Sequence, residues 1–500
     1  MKIASKIGKE SSITFTGLVY GNINRYIYTA ILARWVGPEF LGIYSLANAI
    51  ILIAEVVAKM GIETGVLRFI SRLNISKDLN QIQRLIFSSL KMSVLSSIII
   101  MIFLIALSEI ISIDILNSTP LLTKAIIVFS IALPFNVITL ISAHATQGFK
   151  LLKYKSIVTQ FINPSVLLFS TIIIFNFFNK EAVILAPMLI TAIIGFFSMS
   201  FFLKKISGAN LFYFNQGSFN YDLLKFSIPL MFVTVLQTFM HWMDILMLGY
   251  FTDTETVGLY HPAVRTAGLL QSLLISFLGI YSPLISQFYE EKNIMNMDSI
   301  YKMVTRWIVM GSLPIAIIFL FFSKQLMMLF GQEYIASAPI LMVLTIATFF
   351  QAVFGAAAPT LSMTGFTKLV LLNTFVAFLL NFFLNIFLIP NYGSIGAAFS
   401  TLISLFLIGI ARVLQVRIIL KLNLLSIKLI KPIIAGLLTS VLLFQIRPYI
   451  LAFDSFIIIM IASVLSIIVY AIILWLMRFD QDDLDFLKGL DVIKKKIKGK

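Results

Sequence analysis

The chain has no cysteine and only three histidines, His144, His241 and His261, in 500 residues. The first absence excludes a disulfide framework and any thiolate-held zinc or iron–sulfur centre. The second leaves too few imidazoles for a histidine-rich metal site. Charge is also scarce: Asp, Glu, Lys and Arg make up 12% of the residues, where a soluble domain carries about 25%. No GxxxxGK[ST] phosphate loop occurs, which excludes a P-loop ATPase in this chain. What fills the sequence instead is apolar: 59% of the residues are hydrophobic and the mean hydropathy is +0.99. A water-soluble fold of this length is excluded.

A membrane-spanning helix needs about 20 apolar residues. Fourteen segments qualify, near 14–33, 42–62, 86–107, 125–146, 157–178, 182–203, 226–250, 257–282, 304–322, 336–357, 369–388, 394–416, 431–446 and 455–476, of which 431–446 is short. The first, which contains Arg25, is expected to be a membrane helix rather than a cleaved signal peptide. The net charge of +16 then reads as topology, with no nucleic-acid partner. Of the 38 Lys and Arg, 29 fall on the side of the N-terminus and five on the other, with four inside spans. By the positive-inside rule both termini are expected in the cytoplasm. The basic tail 488–500 is expected to rest on anionic membrane lipid. The connecting segments are short, and the largest run only to about twenty residues by the same count. They leave no room for a separate catalytic or nucleotide-binding domain, which argues against a polymerase or glycosyltransferase. No enzyme activity, metal or cofactor is expected.

Residues 32–47 (LARWVGPEFLGIYSLA) and 248–263 (LGYFTDTETVGLYHPA) match at an offset of 216, aligning Gly42 with Gly258 and Tyr44 with Tyr260. Gly148-Phe149 and Gly365-Phe366 match at 217. A six-helix repeat keeps both copies in the same orientation. The expected fold is therefore an all-α polytopic membrane protein. It has two parallel six-helix lobes, 1–210 and 211–425, around a central cavity, and a final helix pair with the tail, 426–500.

Polar residues at mid-membrane are costly and face a cavity or the bundle interior. Asn22, Arg25 and Thr29 share one face of the first helix, and Thr234, Gln237, His241 and Asp244 one face of the seventh. Ser45, Asn48, Glu55 and Lys59 line the second, and His261, Arg265, Ser272 and Ser276 the eighth. These four helices are the repeat-related pairs, expected to line a water-accessible cavity. Arg25, Arg265, Asn22, Asn48, Gln237 and His241 are the candidate substrate-binding residues. Asp244, Glu55 and Lys59 are candidates for ion coupling or for structural ion pairs, Glu55 and Lys59 being spaced to neutralise one another.

The segment Ala33-Arg34-Trp35-Val36-Gly37-Pro38-Glu39-Phe40-Leu41-Gly42-Ile43-Tyr44 resembles the stretch between the first two helices of bacterial polysaccharide flippases. So do Pro229 and Asp244 with Val257-Gly258-Leu259-Tyr260, Leu329-Phe330-Gly331-Gln332-Glu333-Tyr334, and Pro390-Asn391-Tyr392-Gly393-Ser394-Ile395-Gly396-Ala397-Ala398. The resemblance is to Wzx-type flippases of the multidrug/oligosaccharidyl-lipid/polysaccharide exporter superfamily and spans the chain. It implies alternating-access movement of an undecaprenyl-pyrophosphate-linked oligosaccharide across a bacterial cytoplasmic membrane, for O-antigen or capsule. Polymerase and glycosyltransferases of the same pathway would be its partners. Arg25 and Arg265 match the cationic cavity of that family, whereas Asp244 and Glu55 depart from it. A cation-coupled multidrug exporter and a lipid II flippase are the alternatives.

Overall fold

The computed structural model describes residues 2–76, 78–209, 217–424, 426–451 and 456–477. The basic tail 488–500 lies outside them, and the side chain of Ser276 is likewise outside the description. No strand forms among the described residues. The helices are α1 (Lys2–Val36), α2 (Pro38–Lys59), α3 (Ile62–Ser76), α4 (Leu79–Ile115), α5 (Pro120–Gly148), α6 (Leu152–Phe177), α7 (Lys180–Ser207) and α8 (Tyr221–Phe251). They continue as α9 (Thr254–Ala267), α10 (Leu269–Glu290), α11 (Ile294–Phe321), α12 (Ser323–Met328), α13 (Ala338–Phe354) and α14 (Ala357–Met363). The last are α15 (Thr367–Leu420), α16 (Ile430–Leu451) and α17 (Phe456–Leu476).

Eleven helices among the described residues are long and apolar enough to cross a membrane, and a bent pair, Thr254–Ser272 with Phe277–Glu290, makes twelve. That is fewer than the fourteen segments expected, for two physical reasons. The range labelled α15 is two helices that meet at the non-helical backbone of Gly393 (φ 56°), between the expected spans 369–388 and 394–416, and it counts once. The segment 14–33 lies within α1, where Asn22, Asn24 and Arg25 interrupt the apolar run, and α1 is not among the eleven.

The chain carries its own helix signals. Asp78, Asn179, Asn220 and Asn293 each accept a backbone N–H at a helix start, and Pro38 and Pro120 occupy first-turn positions where no N–H is needed. Inside the spans, hydroxyls return to their own helix: Ser45 donates to the Leu41 carbonyl (2.7 Å) and Thr139 to that of Phe135 (2.7 Å). Such bonds satisfy polar groups where no water is available.

The sequence reading treats 63–85 as a connecting segment, but the structure places α3 there. Ile62, Val66 and Ile70 repeat at helical spacing and are fully buried, while Arg72 faces out. The described residues divide into two compact units. The first is Met1–Pro262 with Phe330–Tyr334 and Asn385–Ala397; the second is Ala263–Leu329, Ile335–Leu384 and Ala398–Lys500.

In the first unit α5 is the central helix, packed by α2, α3, α4 and α7. Phe129, Leu133, Val137 and Ile141 form its buried stripe. The outer faces are apolar too: on α4, Ile99 is 67% and Phe103 60% exposed. In water such surface would aggregate, whereas in lipid it is matched to its solvent. In the second unit α11 packs on α10, α13 and α16.

Gly42 of α2 and Gly258 of α9 meet in the first unit. A Cβ on Gly42 would lie 1.7 Å from the Thr254 carbonyl oxygen, and one on Gly258 1.8 Å from that of Pro38. Thr254 and Pro38 are themselves 216 residues apart, like the two glycines. The repeated segment therefore meets its own copy about a local two-fold, each glycine admitting the other's backbone.

Candidate functional site

Placing a charge at the centre of a membrane helix costs about 2.5–3.5 kcal/mol by insertion scales. Intramembrane charges therefore need partners, and three clusters of the first unit provide them for Arg25, Lys59 and Asp244.

The first surrounds Arg25 on α1. Its Nη1 donates to Asn22 Oδ1 (3.3 Å), and its Nη2 to the Thr159 carbonyl (3.1 Å) and Gln160 Oε1 (3.0 Å). Asn22 lies on the same helix as Arg25, whereas Thr159 and Gln160 come from α6. There residues 157–162 form a π-helical stretch, whose wider turn offers a carbonyl to an outside donor. Tyr20 braces the same crossing, stacked on Phe161 at 5.0 Å between centroids and bonded to the Ser165 hydroxyl at 2.8 Å.

The second surrounds Lys59. Its Nζ lies 3.2 Å from Glu55 and 3.9 Å from Glu63, all three side chains nearly closed to solvent. Nearby on α5 and α6, Lys155 Nζ lies 3.0 Å from His144 Nε2 and donates to Gln147 Oε1 at 3.1 Å.

The third surrounds Asp244 on α8. The Tyr260 hydroxyl donates to its Oδ2 at 3.0 Å, and Asn385 Nδ2 to its Oδ1 at 2.8 Å. Tyr260 and Asn385 are almost fully buried. Both groups donate, so they stabilise a carboxylate anion inside the first unit.

The remaining candidates distribute differently. Gln237 and His241 are exposed on α8. Asn48 is 5% exposed inside α2. Arg265 lies in α9 but belongs to the second unit. Sequence reasoning missed Gln160, Glu63, Tyr260 and Asn385. One signal was available: Asn381 and Asn385 stand one turn apart in an otherwise apolar span.

The chain matches the family model described as polysaccharide biosynthesis protein over residues 7–289. A second model, MatE, matches residues 229–387. Among curated proteins the chain is similar to the probable low-salt glycan biosynthesis flippase Agl15 of Haloferax volcanii, 26% identical over 230 residues, which is 45% of this chain and 47% of that protein. It is also similar to the uncharacterized membrane protein MJ1068 of Methanocaldococcus jannaschii, 24% identical over 202 residues, 40% of each. The chain thus spans less than half the length of these curated relatives. Among solved structures it is similar to the lipid II flippase MurJ in an inward closed conformation, with a TM-score of 0.71 and 16% identity over 94% of this chain and 99% of that one. An inward-facing multidrug resistance MATE family transporter of the MOP superfamily gives 0.68 and 14% over 80% and 94%. At these identities the likeness is one of fold.

Proposed function

For a chain that belongs to the polysaccharide biosynthesis protein family, as this one does, we propose the function of a flippase: it carries a lipid-linked oligosaccharide across a membrane by alternating access. The reading is supported by the relative named a glycan biosynthesis flippase and by the transporter fold. The observation that carries it is Arg25, a guanidinium fixed inside the bundle by the oxygens of Asn22, Thr159 and Gln160. A pyrophosphate headgroup must shed water to cross, and an Arg fork replaces that water with paired charge-assisted hydrogen bonds. Arg265 is proposed for the same task, with Asn22, Asn48, Gln237 and His241 meeting the sugars. The lipid tail stays in the bilayer. The carrier is proposed to be undecaprenyl pyrophosphate and the product an O-antigen or capsule polymer, supplied and consumed by glycosyltransferases and a polymerase.

The proposed architecture is two repeat-related lobes, 1–210 and 211–425, in a bacterial cytoplasmic membrane with both termini inside. Because the chain has no cysteine, single introduced cysteines report sidedness without background labelling. Cysteines at 124 and 150 should label from opposite sides of the membrane, and labelling from one side would refute this orientation. Function is tested in proteoliposomes with a fluorescent lipid-linked oligosaccharide. The purified chain should expose it to an external quencher, and Arg25→Ala should slow exposure at least about tenfold, the value of a charged hydrogen bond. Unchanged exposure with Arg25→Ala would remove the headgroup role.

One observation favours a second reading. The Asp244 cluster, within the segment matched by MatE, fits cation-coupled drug export. Drug resistance conferred by the chain and abolished by Asp244→Asn would select it. A third cargo, lipid II, would make the gene essential for growth.

A further inference from the structure

Each compact unit carries a basic pocket outside the three clusters. In the first unit, Arg72 of α3, Gln81, Arg84 and Ser88 of α4, and Ser218 and Asn220 before α8 surround a cavity of about 400 Å³. In the second, Ser299, Lys302 and Arg306 of α11, with Ser426 and Lys428 before α16, surround one of about 90 Å³. The helical positions correspond in spacing. Residues 81, 84, 85 and 88 and residues 299, 302, 303 and 306 both run i, i+3, i+4, i+7, and each pair differs by 218. That is within two residues of the offsets relating the repeat elsewhere. Arg84 answers to Lys302, and Ser88 to Arg306. Both helices also start alike, on Asp78 accepting the Gln81 N–H and Asn293 accepting the Asn296 N–H.

The returning segment is fixed in both. A Cβ on Gly217 would lie 2.4 Å from the Phe87 carbonyl oxygen, so the backbone there lies directly on α4. In the second unit the Asn423 N–H donates to Asp298 Oδ1 at 2.8 Å. Asp298 also pairs with Lys302, which lowers the positive charge of that pocket. Ser88 is 3% exposed and its hydroxyl has no partner, so a donor is held ready in the first pocket. Arg306 is likewise 3% exposed.

Both pockets sit where an apolar span begins, at the start of Leu79–Ile115 and of Ile294–Phe321. This is headgroup depth. The amphipathic α3 runs beside the first, with Arg68 lying 4.4 Å over the Phe226 ring. We propose that each pocket binds the phosphate of a membrane lipid headgroup, one site per repeat, independently of what the protein transports. Cationic pockets between helices at that depth recognise anionic headgroups, each Lys or Arg near the surface contributing about fivefold in affinity.

The test uses the purified full-length chain, native mass spectrometry and three probes: phosphatidylglycerol, phosphatidylcholine and farnesyl pyrophosphate. The wild type should retain two phosphatidylglycerols in preference to phosphatidylcholine. Arg72→Gln with Arg84→Gln should lose one, and Lys302→Gln with Lys428→Gln the other, each with about a twentyfold fall in occupancy. Buried Arg306 is left intact so that the second pair folds, and unchanged thermal melting verifies this. Retention unaffected by farnesyl pyrophosphate assigns the pockets to bilayer lipid. Displacement by it that both double variants abolish assigns them to a pyrophosphate carrier. Equal retention of the two phospholipids, or double variants that retain both lipids, overturns the proposal.

Discussion

Two cations inside the first unit are held in opposite ways. Lys59 lies between two carboxylates, Glu55 at 3.2 Å and Glu63 at 3.9 Å. Arg25 is held by an amide oxygen of Asn22, another of Gln160 and the carbonyl of Thr159. Carboxylates cancel a charge, whereas amide and carbonyl oxygens fix its position without cancelling it. For the Lys59 cluster we therefore propose a structural role rather than ion coupling. The bonds to Arg25 aim its guanidinium, and we propose that a negatively charged headgroup is what it meets.

The difference is sharpest in stability. Lys59→Met leaves two buried carboxylates facing each other and should destabilise the protein by about 3–5 kcal/mol. Adding Glu55→Gln and Glu63→Gln should recover most of that loss, because the remaining groups are neutral. Thermal unfolding in one detergent measures both variants. If Lys59→Met alone melted like the wild type, the triad would carry no structural role.

Arg25→Gln should behave in the reverse sense. It removes the hydrogen bonds to Asn22, Thr159 and Gln160, an expected loss of about 1–3 kcal/mol, while transport falls at least about tenfold. Arg25→Lys should recover part of the rate, keeping the charge but losing the planar fork. A variant at Lys59 that kept its fold yet lost transport as severely as Arg25→Gln would erase the distinction.

The same contrast explains what was legible beforehand. The spans announce themselves through apolar runs, because lipid tolerates little else, and the stripes announce themselves through the few exceptions. Glu55 and Lys59 share one helix, so their spacing alone brings them together. Gln160 and Asn385 reach Arg25 and Asp244 from helices distant in sequence, and such pairings depend on packing that one sequence does not encode locally. The π-helical stretch at 157–162 is invisible to periodicity for the same reason. The α3 helix was legible and was overlooked: its Ile62, Val66 and Ile70 carry the helical period, but Arg68, Arg72 and Asn74 made the segment read as a loop.

Asp244 tests an intermediate case, an anion that accepts from a phenol and an amide. Asp244→Asn preserves the shape but removes the charge that Tyr260 and Asn385 address, and one of the two donors then faces an amide N–H₂. The expected stability loss is about 1–3 kcal/mol. The decisive readout is transport under imposed proton or sodium gradients. Gradient dependence should vanish in Asp244→Asn with residual downhill flipping retained. A variant that kept full gradient dependence would move the coupling role away from this cluster.

The smallest effect is expected where the pair is most exposed. Lys124 on α5 and Glu181 on α7 lie 3.1 Å apart, closer than Lys59 to either of its partners, yet 59% and 44% of their side chains face out. Distance alone would rank this pair first. Screening by water and the entropy of two long side chains reverse that ranking, so the coupling in a double-mutant cycle should be about 0.2–1 kcal/mol and should shrink further at high salt. The Lys59 cluster should keep its coupling at the same salt concentration. A salt-insensitive coupling of several kcal/mol at Lys124 and Glu181 would mean that separation, rather than burial and the chemistry of the partners, decides what these charges do.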